Sequence, residues 1–144
     1  MEKLIRGEKA MEIVAREILE GLTVLSSGAS IVGLSGDLGA GKTTLVRAIA
    51  RALGVTEEVH SPTFVIAKFY PLTKHCDFSQ LIHIDAYRIE NPEELRALRW
   101  KELIVNPKNL IFIEWPEQLK EEFPANAKLL KLRFIDEETR SIEW

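Results

Sequence analysis

A single cysteine, Cys76, stands in a chain of 144 residues. It excludes an internal disulfide, and without a second cysteine no thiolate pair can clasp zinc. Long apolar runs are missing too: the longest span a few residues, far short of the roughly 20 needed to cross a bilayer as a helix. No apolar secretion segment stands at the N-terminus, and with the lone thiol this predicts a reducing, cytoplasmic location. Charge of one sign is not in excess, since 19 Lys and Arg face 22 Asp and Glu for a formal net charge of −3. That balance argues against unaided long-range attraction to nucleic acid, although not against a nucleic-acid role inside a complex. The histidines, His60, His75 and His83, lack metal-site spacing. Repeats, low-complexity stretches and long linkers are also absent. What is present is a hydrophobic share of 46%, enough for a core, over a length that predicts one domain, residues 1–144.

Within that ordinary composition one run stands out: Gly36-Asp37-Leu38-Gly39-Ala40-Gly41-Lys42-Thr43, followed by Thr44. It has the phosphate-loop form G-x-x-x-x-G-K-[ST]. An apolar strand candidate, Ser30-Ile31-Val32-Gly33-Leu34, precedes it. A helix follows from Thr43 to Leu53, with Leu45, Ile49, Ala52 and Leu53 inward, Arg47 and Arg51 outward, and Gly54 as its stop. Glycines let the backbone curl until its N–H groups line an anion-sized nest. The helix end adds unpaired N–H groups and the positive pole of its dipole. Lys42 can reach the terminal phosphates as a point charge, and the Thr43 hydroxyl suits a magnesium ion. The run therefore predicts binding of a nucleoside triphosphate with Mg2+.

The remaining elements frame this loop. Glu8 to Leu22 has the spacing of an amphipathic helix through Met11, Ala15, Ile18 and Leu22. Strands are predicted over Pro62–Tyr70, Gln80–Asp85, Leu110–Glu114, Ala127–Ile135 and Thr139–Trp144. Asn91-Pro92-Glu93-Glu94 opens another helix, with Asn91 as its cap and Pro92 at its first position. The alternation predicts an α/β fold: a three-layer α/β/α sandwich of the P-loop NTPase kind, its central sheet mostly parallel with antiparallel strands. In such sheets ligands sit beyond the C-terminal strand ends, where the phosphate loop, Asp85 and Glu114 all fall.

A phosphate-loop enzyme needs a strand-end carboxylate for magnesium and a group that orients the attacking water. Asp85 and Glu114 each close an apolar run, and Trp115-Pro116 breaks the second strand at once. Asp85-Ala86-Tyr87-Arg88 gathers an acid, a phenol and a guanidinium; Arg88 is either a phosphate or partner contact or a solvated ion-pair member. Pro62 keeps Ser61 extended, so Ser61-Pro62-Thr63 presents two hydroxyls, either as a phosphate-sensing switch or as a turn into a strand. His83, inside an apolar strand, reads as a hydrogen-bonded core histidine.

Together these blocks resemble the TsaE (YjeE) family, the small ATPases of tRNA threonylcarbamoyladenosine synthesis. The resemblance is carried by the phosphate loop through Thr44, by Ser61-Pro62-Thr63-Phe64, by His83-Ile84-Asp85-Ala86-Tyr87-Arg88 and by Ile113-Glu114-Trp115-Pro116-Glu117, in that order over nearly the whole chain. It implies slow, magnesium-dependent ATP hydrolysis in the service of a transferase complex with TsaB and TsaD family proteins, which modifies adenosine 37 of tRNAs reading codons that begin with A. The chain would meet tRNA through that complex and would touch no membrane. Carried over, Gly36 to Thr44 would hold ATP, with Lys42 on the phosphates; Thr43 and Glu114 would ligate magnesium; and Asp85 would orient or deprotonate water. Ser61, Thr63, Tyr87, Arg88 and Trp115 would form switch-like or partner-coupling positions. Arg140 matches a late arginine that approaches the nucleotide, and the start of the first helix near Gly7 would flank adenine. Two stretches depart from the pattern: Leu98-Arg99-Trp100, where a Leu-Gly pair is usual, and Gln118-Leu119-Lys120, where a glycine is common.

The rival reading is a small-molecule P-loop kinase, although the chain shows no separate acceptor domain and no Arg-rich lid. A GTPase would need the guanine-reading Asn-Lys-x-Asp, which is missing, and a switch glycine that Asp85-Ala86-Tyr87-Arg88 lacks.

Overall fold

Short apolar runs that alternate with amphipathic segments must be covered on both faces, and the chain meets that demand with one sheet between two layers. The computed structural model describes residues 1–60, 67–73 and 76–144. In chain order they form β1 (Glu2–Arg6), α1 (Gly7–Glu20), β2 (Ser30–Ser35), α2 (Lys42–Ala52), β3 (Ala67–Pro71), β4 (Gln80–Asp85), a 3-10 helix (Pro92–Leu98), α3 (Trp100–Val105), β5 (Asn109–Glu114), a second 3-10 segment (Pro116–Glu122), β6 (Lys128–Phe134) and β7 (Thr139–Glu143). The strands make one seven-stranded sheet in the order β1-β7-β6-β2-β5-β4-β3. The inner strands β6, β2, β5 and β4 are parallel, while β7, β1 and β3 join antiparallel to their neighbours. The expected α/β architecture, a parallel centre with antiparallel additions, is the one observed.

Side chains alternate across each inner strand, so each feeds two cores. Val32 and Leu34 of β2, Leu110 and Phe112 of β5 and Leu81 of β4 pack with Met11 and Ile18 of α1 and Leu45 and Ile49 of α2. Ile31, Ile111, Ile113, Ile82 and Ile84 point the other way, against Leu95, Trp100 and Leu119. Gly33 permits that second layer to sit close. A Cβ there would stand 2.8 Å from Phe123 and 2.9 Å from Pro116, so only a glycine lets the second 3-10 segment press onto β2.

The topology concentrates one edge of the sheet. Strands β2, β4, β5 and β6 end there because they are parallel. β1 ends there too, since it opposes β7, which opposes β6. The phosphate loop, the β1–α1 junction and the β6–β7 hairpin therefore share that edge.

Several expected elements shift. α1 begins at Gly7 and stops at Glu20. The strand expected over Pro62–Tyr70 is seen from Ala67 onward; its earlier residues lie outside the described ones. Asn91 caps as expected, its side chain accepting from Glu93 N at 3.1 Å, but the coil it opens is a 3-10 helix that ends at Leu98. The strand β1 and the six-residue α3 were not expected.

Both departures from the family pattern fall where the backbone turns left-handed. Arg99 has φ 57 and ψ 45, which separates the 3-10 helix from α3. Lys120, which closes the second departing stretch, has φ 50 and ψ −121. A side chain in such a conformation costs on the order of 1–3 kcal/mol, whereas glycine bears it at a smaller entropic cost. Lys120→Gly is therefore expected to stabilise the fold by about 1 kcal/mol, seen as a higher urea midpoint. A lower midpoint would show that Lys120 is not strained.

Candidate functional site

The phosphate loop leaves β2 and enters α2 through backbone that glycine makes accessible, with φ +82 at Gly39 and +100 at Gly41. The first bond of α2 runs from Leu45 N to Gly41 O at 2.9 Å. The N–H groups of Lys42, Thr43 and Thr44 precede it and have no partner within the helix. They face the open end of the loop with the positive pole of α2 behind them.

Lys42 is nearly buried, at 5% exposure. Its ammonium donates to the Gly36 carbonyl and to the Asp37 carbonyl at 2.9 Å, and lies 4.1 Å from the centre of the Trp115 ring. Burial pushes its pKa below the ordinary lysine value, against the opposing pull of Glu114, Glu117, Asp85 and Asp37. A buried cation held by neutral carbonyls and a ring face is poised to gain from an anion.

Strand alternation sets the acids. Asp85 lies opposite Glu114 in the β4–β5 register, so both side chains stand on the α2 face of the sheet. The Thr43 hydroxyl, at the start of α2, donates to the Glu114 carboxylate, with Oγ1 3.0 and 2.9 Å from its two oxygens. Asp85 is half-buried, and its Oδ1 accepts from Tyr87 N at 3.0 Å. Trp115 follows Glu114 with a left-handed backbone, φ 59, while its N–H donates to Leu34 O at 3.2 Å. The indole packs 5.1 Å from the Tyr87 ring.

A cavity of about 900 Å³ opens over this edge. Of the residues expected at the site, it is lined by Leu38, Gly39, Gly41, Lys42, Thr43 and Thr44 from the loop, by Asp85, Tyr87 and Arg88 after β4, by Glu114 and Trp115, and by Arg140. Gly36, Asp37 and Ala40 shape the loop from behind: Ala40 N donates to Asp37 O, and a Cβ on Gly36 would meet Leu132 O at 2.4 Å. Ser61 and Thr63 lie outside the described residues. Arg140 lines the cavity with its guanidinium on backbone carbonyls, donating to Gly39 at 3.1 Å, Asp136 at 2.5 Å and Thr139 at 3.0 Å. It thereby ties the β6–β7 hairpin to the phosphate loop.

Two parts of the site were given little or no role in it from the sequence. The far wall is made by Ile5, Arg6, Gly7, Glu8 and Met11 with Glu137 and Glu138. Only the vicinity of Gly7 was expected there, because pairing of β1 with β7 is a long-range event. The other part is His83, whose ring is buried as expected but whose partner is Glu114. Its place two residues before Asp85 on a strand was the available signal.

Among the described residues no three carboxylate, imidazole or thiol groups converge on one point. A protein-only metal cage is therefore not what this site offers. One hydroxyl and one carboxylate, beside a nest for phosphate, is instead a donor set that magnesium accepts while keeping waters and substrate oxygens.

A family model described as "Threonylcarbamoyl adenosine biosynthesis protein TsaE" matches residues 5–142. A relative from Streptomyces coelicolor, named tRNA threonylcarbamoyladenosine biosynthesis protein TsaE, is 40% identical over 119 residues, covering 81% of this chain and 77% of its own. One of the same name from Aquifex aeolicus is 33% identical over 143 residues, covering 98% and 92%. The crystal structure of Bacillus subtilis YdiB superposes with a TM-score of 0.67 over 99% of this chain and 82% of its own, at 22% identity, a likeness of fold.

Proposed function

Because the chain belongs to the TsaE family of threonylcarbamoyl adenosine biosynthesis proteins, we propose that it is a slow, magnesium-dependent ATPase serving the threonylcarbamoyl modification of adenosine 37 in tRNAs that read ANN codons. The observation that carries this reading is the Thr43–Glu114 contact beside the buried Lys42 ammonium. It sets a hydroxyl and a carboxylate, which this reading takes as the magnesium ligands, beside the N–H groups of the loop.

In this reading the loop N–H groups and Lys42 hold the phosphoryl oxygens and stabilise charge that grows on them during transfer to water. Thr43 and Glu114 would hold magnesium, which when bound would neutralise phosphate charge. Asp85 accepts a hydrogen bond from the attacking water and aligns it. The cavity extends to Gly7 and Met11, which gives the base a place beside the first turn of α1. Tyr87, Arg88 and Trp115 sit where a change at the phosphates reaches the surface; Ser61 and Thr63 join them in the proposal on the resemblance alone.

Partners of the TsaB and TsaD families complete the proposal, with tRNA met through that complex in the cytoplasm. No helix of the described residues is long and apolar enough to cross a membrane. The test is reconstitution: tRNA, the two partners, threonylcarbamoyl donor and ATP, with and without this chain. Repeated turnovers are expected only with it. An unchanged number of turnovers, or phosphate passing faster to a small acceptor than to water, would overturn the proposal.

A further inference from the structure

We propose that His83 is a positioning residue that holds the Glu114 carboxylate against Thr43, so that this pair can take a divalent cation; the proposal rests on the reading of Thr43 and Glu114 as the magnesium ligands. His83 sits in the middle of β4 with no exposed surface, and it does not line the cavity. Alternation places Leu81, His83 and Asp85 on one face of β4, and Leu110, Phe112 and Glu114 on the same face of β5. His83 stands opposite Phe112, one side-chain step before Glu114. From there its Nε2 lies 2.6 Å from Glu114 Oε2.

The hydrogen-bond inventory of the ring is one-sided. A carboxylate only accepts, so Nε2 carries the hydrogen. That leaves Nδ1 buried with no hydrogen-bond partner. An unsatisfied polar atom among the buried Leu81, Ile82 and Ile84 of the same strand costs stability that an apolar residue would not. Core filling therefore does not account for the ring, whereas its Nε2 contact does.

Glu114 needs such a brace. Its side chain has rotatable bonds to spare, and the backbone after it turns sharply at Trp115. Among the described residues its other side-chain partner is the Thr43 hydroxyl, which is itself a proposed cation ligand. A donor that approaches from below, within the sheet, keeps the carboxylate aimed whether or not Thr43 is engaged. This is the outer-shell arrangement of metal sites, with the roles of imidazole and carboxylate exchanged.

The test compares two substitutions that differ in where they place an N–H. Glutamine brings its amide nitrogen to the position of Nε2, and asparagine to that of Nδ1. Binding of a fluorescent ATP analogue is measured with Mg2+ and in EDTA, alongside the thermal midpoint. His83→Gln is expected to keep the gain in affinity that Mg2+ confers, and His83→Asn to lose roughly 10- to 100-fold of the cation's affinity. Affinity in EDTA is expected to be alike in both. Equal behaviour of the two with Mg2+ would overturn the proposal, because a ring that merely fills space does not distinguish its nitrogens. Glu114→Ala is the separate control: if it keeps the Mg2+ gain, the metal-ligand reading itself fails. Should neither His83 variant fold, the chain with His60→Gln and His75→Gln leaves His83 as its one imidazole, and a long-range 1H–15N spectrum reads its tautomer. The Nε2–H form is expected with and without Mg2+ and nucleotide; the Nδ1–H form would overturn the proposal.

Discussion

Lys42→Met is expected to weaken ATP binding by on the order of 100-fold or more while leaving the nucleotide-free protein at least as stable at neutral pH. The two effects have one cause. The Lys42 ammonium is buried on the Gly36 and Asp37 carbonyls and the Trp115 face, in surroundings that suit a cation less well than water does. Phosphate would supply the missing counter-charge through charge-assisted hydrogen bonds, each worth about 1.5–3 kcal/mol. Methionine keeps the apolar stem and removes the donor, so affinity falls. Without nucleotide the balance differs. Burial lowers the lysine pKa from its ordinary 10.5, outweighing Glu114, Glu117, Asp85 and Asp37. Between the lowered value and 10.5 the unfolded chain binds the extra proton, so stability rises as pH climbs through that window. Below the window the charged form is a net burden on the fold, and Lys42→Met removes it. Melting curves without nucleotide, from pH 7 to 10.5, should show the variant no less stable at pH 7 and lacking the wild-type gain at high pH. A clear loss of stability at pH 7 would mean that the carboxylates, not burial, dominate at Lys42.

The phosphate loop was legible because its geometry is local: Gly39 and Gly41 take positive φ within the run itself, and Lys42 and Thr43 follow at once. Glu114 and Asp85 were legible because an acid that ends an apolar run marks a strand's end, and parallel strands end together. What the sequence hid depends on pairing at a distance. β1 carries one deeply buried residue, Ile5, and exposes Leu4 at 70%, so no alternating pattern announced it; its strand exists because β7 offers an edge. The parts of the cavity wall formed by Arg6 and Glu138 were hidden with it, whereas the vicinity of Gly7 was expected from the resemblance. His83 read as core, which its burial supports, but its link to Glu114 follows from the register of β4 on β5. Arg99 and Lys120 hid two breaks in helical segments, because residues other than glycine sit at turns of positive φ. Local rules missed them because packing, not the residue's own preference, holds the turn.

Asp85→Asn is expected to spare ATP affinity and cut hydrolysis by roughly 10²–10⁴-fold. The two strand-end acids stand side by side in register, yet their surroundings differ. Glu114 is buried, with Thr43 and His83 on its carboxylate, which suits its proposed part as a fixed metal ligand. Asp85 is half-buried at the cavity wall, and its Oδ1 accepts from Tyr87 N, a contact that fixes the start of the turn that follows β4. Asparagine can keep that contact, since its carbonyl oxygen accepts as well. What it loses is the negative charge that, in the proposed mechanism, draws a proton of the attacking water as the new bond forms, a loss felt in the transition state rather than in binding. Single-turnover hydrolysis and equilibrium binding of ATP by the same variant separate the two. If affinity falls and turnover of bound ATP does not, Asp85 belongs to the binding surface and water is placed by another group. If hydrolysis falls as expected, reconstituted tRNA modification should stop after its first round, because hydrolysis, rather than occupancy of the loop, is what resets the partner complex in the proposed function.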